Sequence, residues 1–159
     1  MTRLVRRLET RLGTDAAFAF IADFSNAVRW DPGVASSETI GSGPTALGSR
    51  YKLGVRMGSR VTPMEYRITA YEAPGRVVLA GEGPGVTATD EIRFTPSGTG
   101  TAIDYIAEIT LGGWLRFAQP FLGKQFESLA RNAVEGMKRA LDAKADADGT
   151  TPVAETPSA

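Results

Sequence analysis

The sequence predicts an α+β fold in which a seven-stranded antiparallel sheet curls around one long C-terminal helix. From residue 34 to residue 111 the apolar side chains follow a period of two, and short turns rich in Gly and Pro divide the segment. This pattern is typical of consecutive antiparallel strands. After Gly112-Gly113 the pattern changes to a period of about 3.6 residues, as in an amphipathic helix. Because a sheet with one apolar face needs a cover, we expect this helix to lie across it, with the twisted sheet wrapped around it.

The composition indicates a single globular domain. The chain has 159 residues, of which 42% are hydrophobic and 23% are charged, as in ordinary soluble domains. Lys plus Arg equals Asp plus Glu at 18 each, so we expect no broad basic surface for nucleic acid. No apolar run approaches the roughly 20 residues of a transmembrane segment, and the N-terminal arginines interrupt any signal-peptide pattern. We therefore expect a cytoplasmic protein.

The absence of two residue types restricts the chemistry. The sequence contains neither cysteine nor histidine, which excludes disulfides, thiolate nucleophiles, Ser-His-Asp triads and His- or Cys-ligated metals. It also removes the commonest general base near neutral pH. No calcium-binding loop of the D-x-D-x-D-G type occurs. We therefore expect neither a metal nor a cofactor.

The segment before the sheet is predicted as one strand followed by two short helices. Residues 3–12 are interpreted as the first strand, which ends at Gly13-Thr14. Thr14 and Ser25 are suitable N-caps for the two helices that follow. Pro32 forbids continuation of the second helix. The chain therefore turns into the main part of the sheet near residue 33.

The remaining elements follow the change of period. The six further strands are predicted at 34–40, 49–57, 60–72, 76–82, 86–95 and 101–111. The long helix is predicted from Phe121 to Lys144, so residues 1–144 form the domain and residues 145–159 a disordered tail. Gly136 lies in the middle of this helix, where glycine lowers helix stability by about 1 kcal/mol. It indicates one of two things: a close approach to the helix, by the sheet or by a ligand, or simple solvent exposure.

The order of these elements resembles the helix-grip fold of the START and birch-pollen-allergen superfamily (SRPBCC), and within it the polyketide cyclase/dehydrase-like group. The resemblance rests on "FAFIADFSNAVRWDPGV", "LGSRYKL", "VTATDEIRFTP" and the long helix, and it covers roughly residues 3–144. It implies a largely apolar pocket between the sheet and the helix, the usual setting for a small ligand. It also makes Trp30 a packing anchor of the short helices rather than a ligand contact.

Strand parity within that fold predicts which side chains line the pocket. From the strands these are Tyr51, Val55, Met64, Tyr66, Ile68, Asp90, Ile92 and Tyr105, and from the helix Phe126, Leu129, Ala133 and Met137.

Asp90 breaks the apolar pattern of the inward-facing positions. A buried carboxylate costs several kcal/mol unless it is paired, hydrogen-bonded or protonated. Tyr66 and Tyr105 could donate hydroxyl hydrogen bonds to Asp90, and Arg6 could supply a charge. Two interpretations stay open at this point. In the first, Asp90 is a functional group inside the pocket, as a polar anchor or as an acid/base with a raised pKa. In the second, Asp90 lies near a strand end and reaches water.

Three functions remain open from the sequence. The first is binding of a small hydrophobic or aromatic ligand of lipid, polyketide or isoprenoid type. The second is a polyketide cyclase/dehydrase-like enzyme that acts mainly by orienting its substrate, with Asp90 and Tyr66 or Tyr105 as the weak candidates for acid/base work. The third is a protein-interaction module, and a homodimer is also left open.

The segment "GGWLRFAQPFLG" at residues 112–123 has three interpretations. It is a mobile lid over the pocket, a contact with a membrane or a partner, or a cap whose aromatic residues cover the core.

Overall fold

The predicted order of elements is confirmed in a computed structural model, which describes residues 1–149. The strands are β1 (Thr2–Thr10), β2 (Val34–Ile40), β3 (Arg50–Met57), β4 (Arg60–Glu72), β5 (Arg76–Gly83), β6 (Val86–Ser97) and β7 (Gly100–Leu111). The helices are α1 (Thr14–Ala22), α2 (Ala27–Trp30) and α3 (Gly123–Gly149), with 3-10 turns at Phe24–Asn26, Gly113–Phe117 and Gln119–Phe121.

The seven strands form one antiparallel sheet in the order β1-β7-β6-β5-β4-β3-β2. Strands β2 to β7 pair with their sequence neighbours, and β1 pairs with β7, so that Leu4 lies opposite Ala107. The sheet curls around α3, whose inner face buries Phe126, Ala133 and Met137. This is the helix-grip fold. Within residues 1–149, no helix combines the length and the apolar character that crossing a membrane requires.

The helix α3 is longer at its C-terminal end than the sequence predicted. It continues to Gly149, so residues 145–149 are helical and not part of a disordered tail. Tertiary contacts hold this extension, because Ala145 packs against the core and Asp146 forms an ion pair with Arg11 at 2.5 Å. The rest of the predicted tail, residues 150–159, lies outside the described residues.

The end of α2 lies directly against the middle of α3. Gly136 is buried, and a Cβ atom at this position would overlap the carbonyl oxygen of Trp30 and lie 3.1 Å from Cδ of Pro32. The close approach that Gly136 indicated is therefore real, but the backbone of α2 makes it and not the sheet. The other interpretation, that Gly136 is exposed to solvent, is wrong. This contact fixes Trp30, which is 3% exposed, in the position of the predicted packing anchor.

Candidate functional site

A cavity of about 100 Å³ lies between the sheet and α3. Its walls come from β1, the α2 region, β2 to β4, β6, β7 and α3. Most of the residues predicted from strand parity line it: Val55, Met64, Tyr66, Asp90, Tyr105, Phe126, Leu129 and Ala133.

Four predicted residues do not line this cavity: Tyr51, Ile68, Ile92 and Met137. Their predicted inward orientation was right, since all four are buried. Other side chains fill the space in front of them, however. Near Ile92 the ring of Phe18 packs edge-on against Phe94, with centroids 5.2 Å apart, and Phe24 lies 6.3 Å from Tyr51. Strand parity identifies the inner face of a sheet, but it does not tell which part of that face is filled.

Asp90 and Tyr105 form a buried hydrogen-bonded pair on the cavity wall. The hydroxyl of Tyr105 donates to Oδ1 of Asp90 at 2.5 Å, and Asp90 is 5% exposed. Burial raises the pKa of Asp90 to about 6, although the hydrogen bond from Tyr105 opposes the rise. The alternative that Asp90 reaches water at a strand end is therefore wrong. Arg6 is not its charge partner, because the Arg6 guanidinium donates to the carbonyl of Val5.

Asp31 is a second carboxyl on the cavity wall, and no pattern in the sequence indicated this position. Its Oδ1 accepts the backbone N–H of Gly33 at 2.7 Å, which closes the turn into β2. Burial raises the pKa of Asp31 to about 6, while the Gly33 N–H and the charge of Arg56 lower it. An Asp-Pro-Gly sequence is typical of a turn, so only the fold reveals that this aspartate also faces the cavity.

Tyr66 and Trp30 also line the cavity, and neither side chain has a hydrogen bond to a residue of the described chain. Tyr66 is 7% exposed, and its hydroxyl has no such partner. Burial, followed by the charges of Asp90 and Asp31, raises the pKa of Tyr66 well above its usual value. The indole Nε1 of Trp30 is also buried and unpaired among residues 1–149. We name Asp31, Tyr66, Asp90 and Tyr105 the polar cluster.

An open groove of about 860 Å³ adjoins the cavity. Met57, Val86, Phe126 and Leu129 belong to the walls of both. On its outer side the groove is bordered by residues of the segment 112–123, including Trp114 and Leu115. The groove therefore lies next to the cavity, on the side that faces the segment 112–123.

The aromatic residues of the segment 112–123 lie at the surface. Trp114, Phe117 and Phe121 are 79%, 69% and 85% exposed. The interpretation that they cap the core is therefore wrong. The segment is held instead by the side chain of Gln119, which accepts from the N–H of Leu111 and donates to the carbonyl of Ile109 and to Thr2.

We expect Gln119→Ala to loosen the segment 112–123 without disturbing the rest of the fold. Loss of hydrogen bonds worth about 1 kcal/mol each should lower the free energy of unfolding by roughly 1–2 kcal/mol. Amide hydrogen exchange of residues 113–121 should accelerate. Gln125→Ala is the matched control, because Gln125 is exposed and makes no side-chain hydrogen bond within residues 1–149. Equal exchange rates in both variants would show that Gln119 does not hold the segment.

Fold and cavity together define the class of protein. A curled sheet that holds a terminal helix over a mostly apolar internal space, with a few buried polar groups, is a helix-grip protein of the START-like type. The chain belongs to the family described as polyketide cyclase / dehydrase and lipid transport, which matches residues 1–142. No curated protein sequence matches the chain significantly.

Solved structures of low sequence identity share the fold. The Zhui aromatase/cyclase from a Streptomyces species superposes with a TM-score of 0.74 at 11% identity, over 94% of this chain and 96% of that one. TTHA0849 from Thermus thermophilus gives 0.73 at 12% identity, over 90% and 99%. A START superfamily protein from Mycobacterium smegmatis gives 0.70 at 12% identity, over 91% and 97%.

Proposed function

We propose that this protein binds a small, mostly apolar molecule, of lipid, polyketide or isoprenoid type, in the cavity between the sheet and α3. The observation that carries the proposal is the cavity itself. An unfilled apolar space lowers stability, because its lining loses both transfer free energy and packing contacts. Membership of a family described by polyketide chemistry and lipid transport supports an occupant of this kind. From the sequence alone, we propose a cytoplasmic location for this activity.

The size of the cavity limits what it can enclose. An apolar cavity of about 150 Å³ holds benzene, whereas sites for larger ligands measure about 300–1,000 Å³. A space of about 100 Å³ therefore takes a small head group only. A longer molecule would place its remaining part in the adjoining groove of about 860 Å³.

A second candidate function is supported by the pair of Asp90 and Tyr105. A buried carboxyl with a pKa of about 6 exchanges its proton near neutrality. In a cyclase/dehydrase-like enzyme this pair would transfer a proton while the cavity wall holds the substrate in a reactive conformation. Catalytic turnover that is abolished when the proton acceptor Asp90 is removed would favour this function over simple binding.

The methionines provide a direct test of binding in the cavity. Met57 and Met64 line the cavity, whereas Met137 is fully buried away from it and Met1 is exposed. With ¹³C-labelled methionine methyl groups, titration of 1-hexanol should shift the signals of Met57 and Met64 and leave those of Met1 and Met137 in place. Uniform shifts, or none, would contradict the proposal.

Filling the cavity from α3 should weaken this binding. We expect Ala133→Leu, which places a larger side chain on the cavity wall, to weaken 1-hexanol binding by about ten-fold or more, a loss of about 1.4 kcal/mol. Ala143→Leu is the matched control, because Ala143 lies on the same helix and is exposed. Equal affinities of the two variants would place the binding site elsewhere.

A further inference from the structure

Three oxygen atoms on the cavity wall accept no hydrogen bond from residues 1–149. Oδ1 of Asp31 and Oδ1 of Asp90 are occupied by the Gly33 N–H and the Tyr105 hydroxyl. Oδ2 of each carboxyl and the hydroxyl oxygen of Tyr66 have no donor in the described chain. None of the three is a fully buried atom, since Nε1 of Trp30 is the single buried side-chain polar atom of residues 1–149 without a partner. The three oxygens therefore border accessible space and can accept hydrogen bonds from a molecule in the cavity whose wall their residues form.

No side-chain cation of the described chain enters the cavity to balance the two carboxyls. The groups that act on Asp90 are Tyr105 and Asp31, and both carboxyls act on Tyr66. Among residues 1–149, the only cation acting on Asp31 is Arg56, an exposed residue whose guanidinium donates to the carbonyl of Pro32 at 2.8 Å. Within this part of the chain, the cavity wall thus carries two carboxyls and no cationic side chain.

Aromatic rings surround the same part of the cavity. The ring of Phe24 lies 5.3 Å from that of Tyr66 and 6.1 Å from that of Trp30, and all three residues line the cavity. Faces of aromatic rings attract cations, and most strongly where water is excluded. Carboxyls and aromatic rings together therefore provide the two kinds of surface that an organic cation requires.

We propose that the ligand carries a protonated primary amine on its small apolar head, and that Asp31, Tyr66 and Asp90 bind this ammonium group. The three N–H donors of an ammonium match the three oxygens that lack donors. Carboxylates and phosphates are disfavoured, since each would bring a negative charge beside the two acids of the cavity wall.

This inference depends on the proposed function, and one panel of ligands separates the two. The ¹³C-methyl signals of Met57 and Met64 are followed during titration with n-hexylamine, 1-hexanol and hexanoate near neutral pH. We expect n-hexylamine to bind about ten-fold more tightly than 1-hexanol, and hexanoate to bind least. If 1-hexanol or hexanoate binds as tightly as the amine, the ammonium site is wrong and the apolar cavity remains. If none of the three shifts these signals, both proposals fail.

Asn substitutions identify the groups that recognise the charge. Asp90→Asn and Asp31→Asn keep the oxygen that accepts from Tyr105 or Gly33 but remove the negative charge. We expect each to reduce the n-hexylamine affinity about ten-fold with little change for 1-hexanol. Asp104→Asn is the matched control, because Asp104 forms an ion pair with Arg7 on the outer face of β7. Equal losses for the amine and the alcohol would overturn the assignment.

Discussion

We expect Gly136→Ala to lower the free energy of unfolding by about 3 kcal/mol, a large effect for the addition of one methyl group. In an exposed helix the same change would add about 1 kcal/mol of stability, because alanine is the better helix former. Here the new Cβ atom would overlap the carbonyl oxygen of Trp30. That oxygen belongs to the backbone, so α2 or α3 has to move as a whole. Urea denaturation measures the loss directly.

Gly123→Ala is the matched control for this substitution. Gly123 is the first residue of α3, and no atom lies within 4 Å of a Cβ placed there. We expect this variant to be as stable as the natural protein or slightly more so. If both alanine variants are equally stable, the close packing of α2 on α3 is wrong.

The packing of Gly136 also bears on the cavity. Trp30, whose carbonyl meets Gly136, lines the cavity with its side chain, and Asp31 follows it directly. The same helix contact therefore positions both a packing anchor and a carboxyl of the polar cluster. A shift of α2 would move Asp31 relative to Asp90, so the ligand affinity of Gly136→Ala should fall together with its stability.

The fold could be predicted from local sequence patterns because its turns are marked by Gly and Pro. The predicted strand at 60–72 has the same bounds as β4, and Pro74-Gly75 separates it from the next. The C-terminal end of α3 was missed for the opposite reason. No local signal in the sequence shows that Asp146 pairs with Arg11, which lies more than a hundred residues earlier.

The candidate site was predictable only where a residue broke a pattern. Asp90 was found because a carboxyl among apolar inward positions of a strand contradicts the alternation. Asp31 was missed because an aspartate before Pro-Gly has a sufficient local explanation as a turn residue. Its second role arises from the approach of α2 to α3, which depends on Gly136 and is visible only in three dimensions.

The second large effect concerns the dependence of stability on pH. Burial raises the pKa of Asp90 from 3.8 to about 6 on folding, so the folded protein holds this proton more tightly than the unfolded chain does. Below about pH 3 the carboxyl is protonated in both states, so the burial of its charge costs nothing. As the pH rises toward 6 the unfolded chain ionises first, and the natural protein loses stability. Above that range the loss stays constant.

Asp90→Asn removes this titration while its amide oxygen can still accept the hydrogen bond from Tyr105. We therefore expect the natural protein to lose about 3 kcal/mol of stability relative to Asp90→Asn between about pH 3 and pH 7. Asp31 is present in both proteins, so its own titration largely cancels in the difference. Asp104→Asn, which removes a carboxyl from the outer face of β7, accounts for the change in net charge. Urea denaturation at a series of pH values measures the difference, and parallel curves would show that Asp90 ionises as readily in the folded protein as in the unfolded chain.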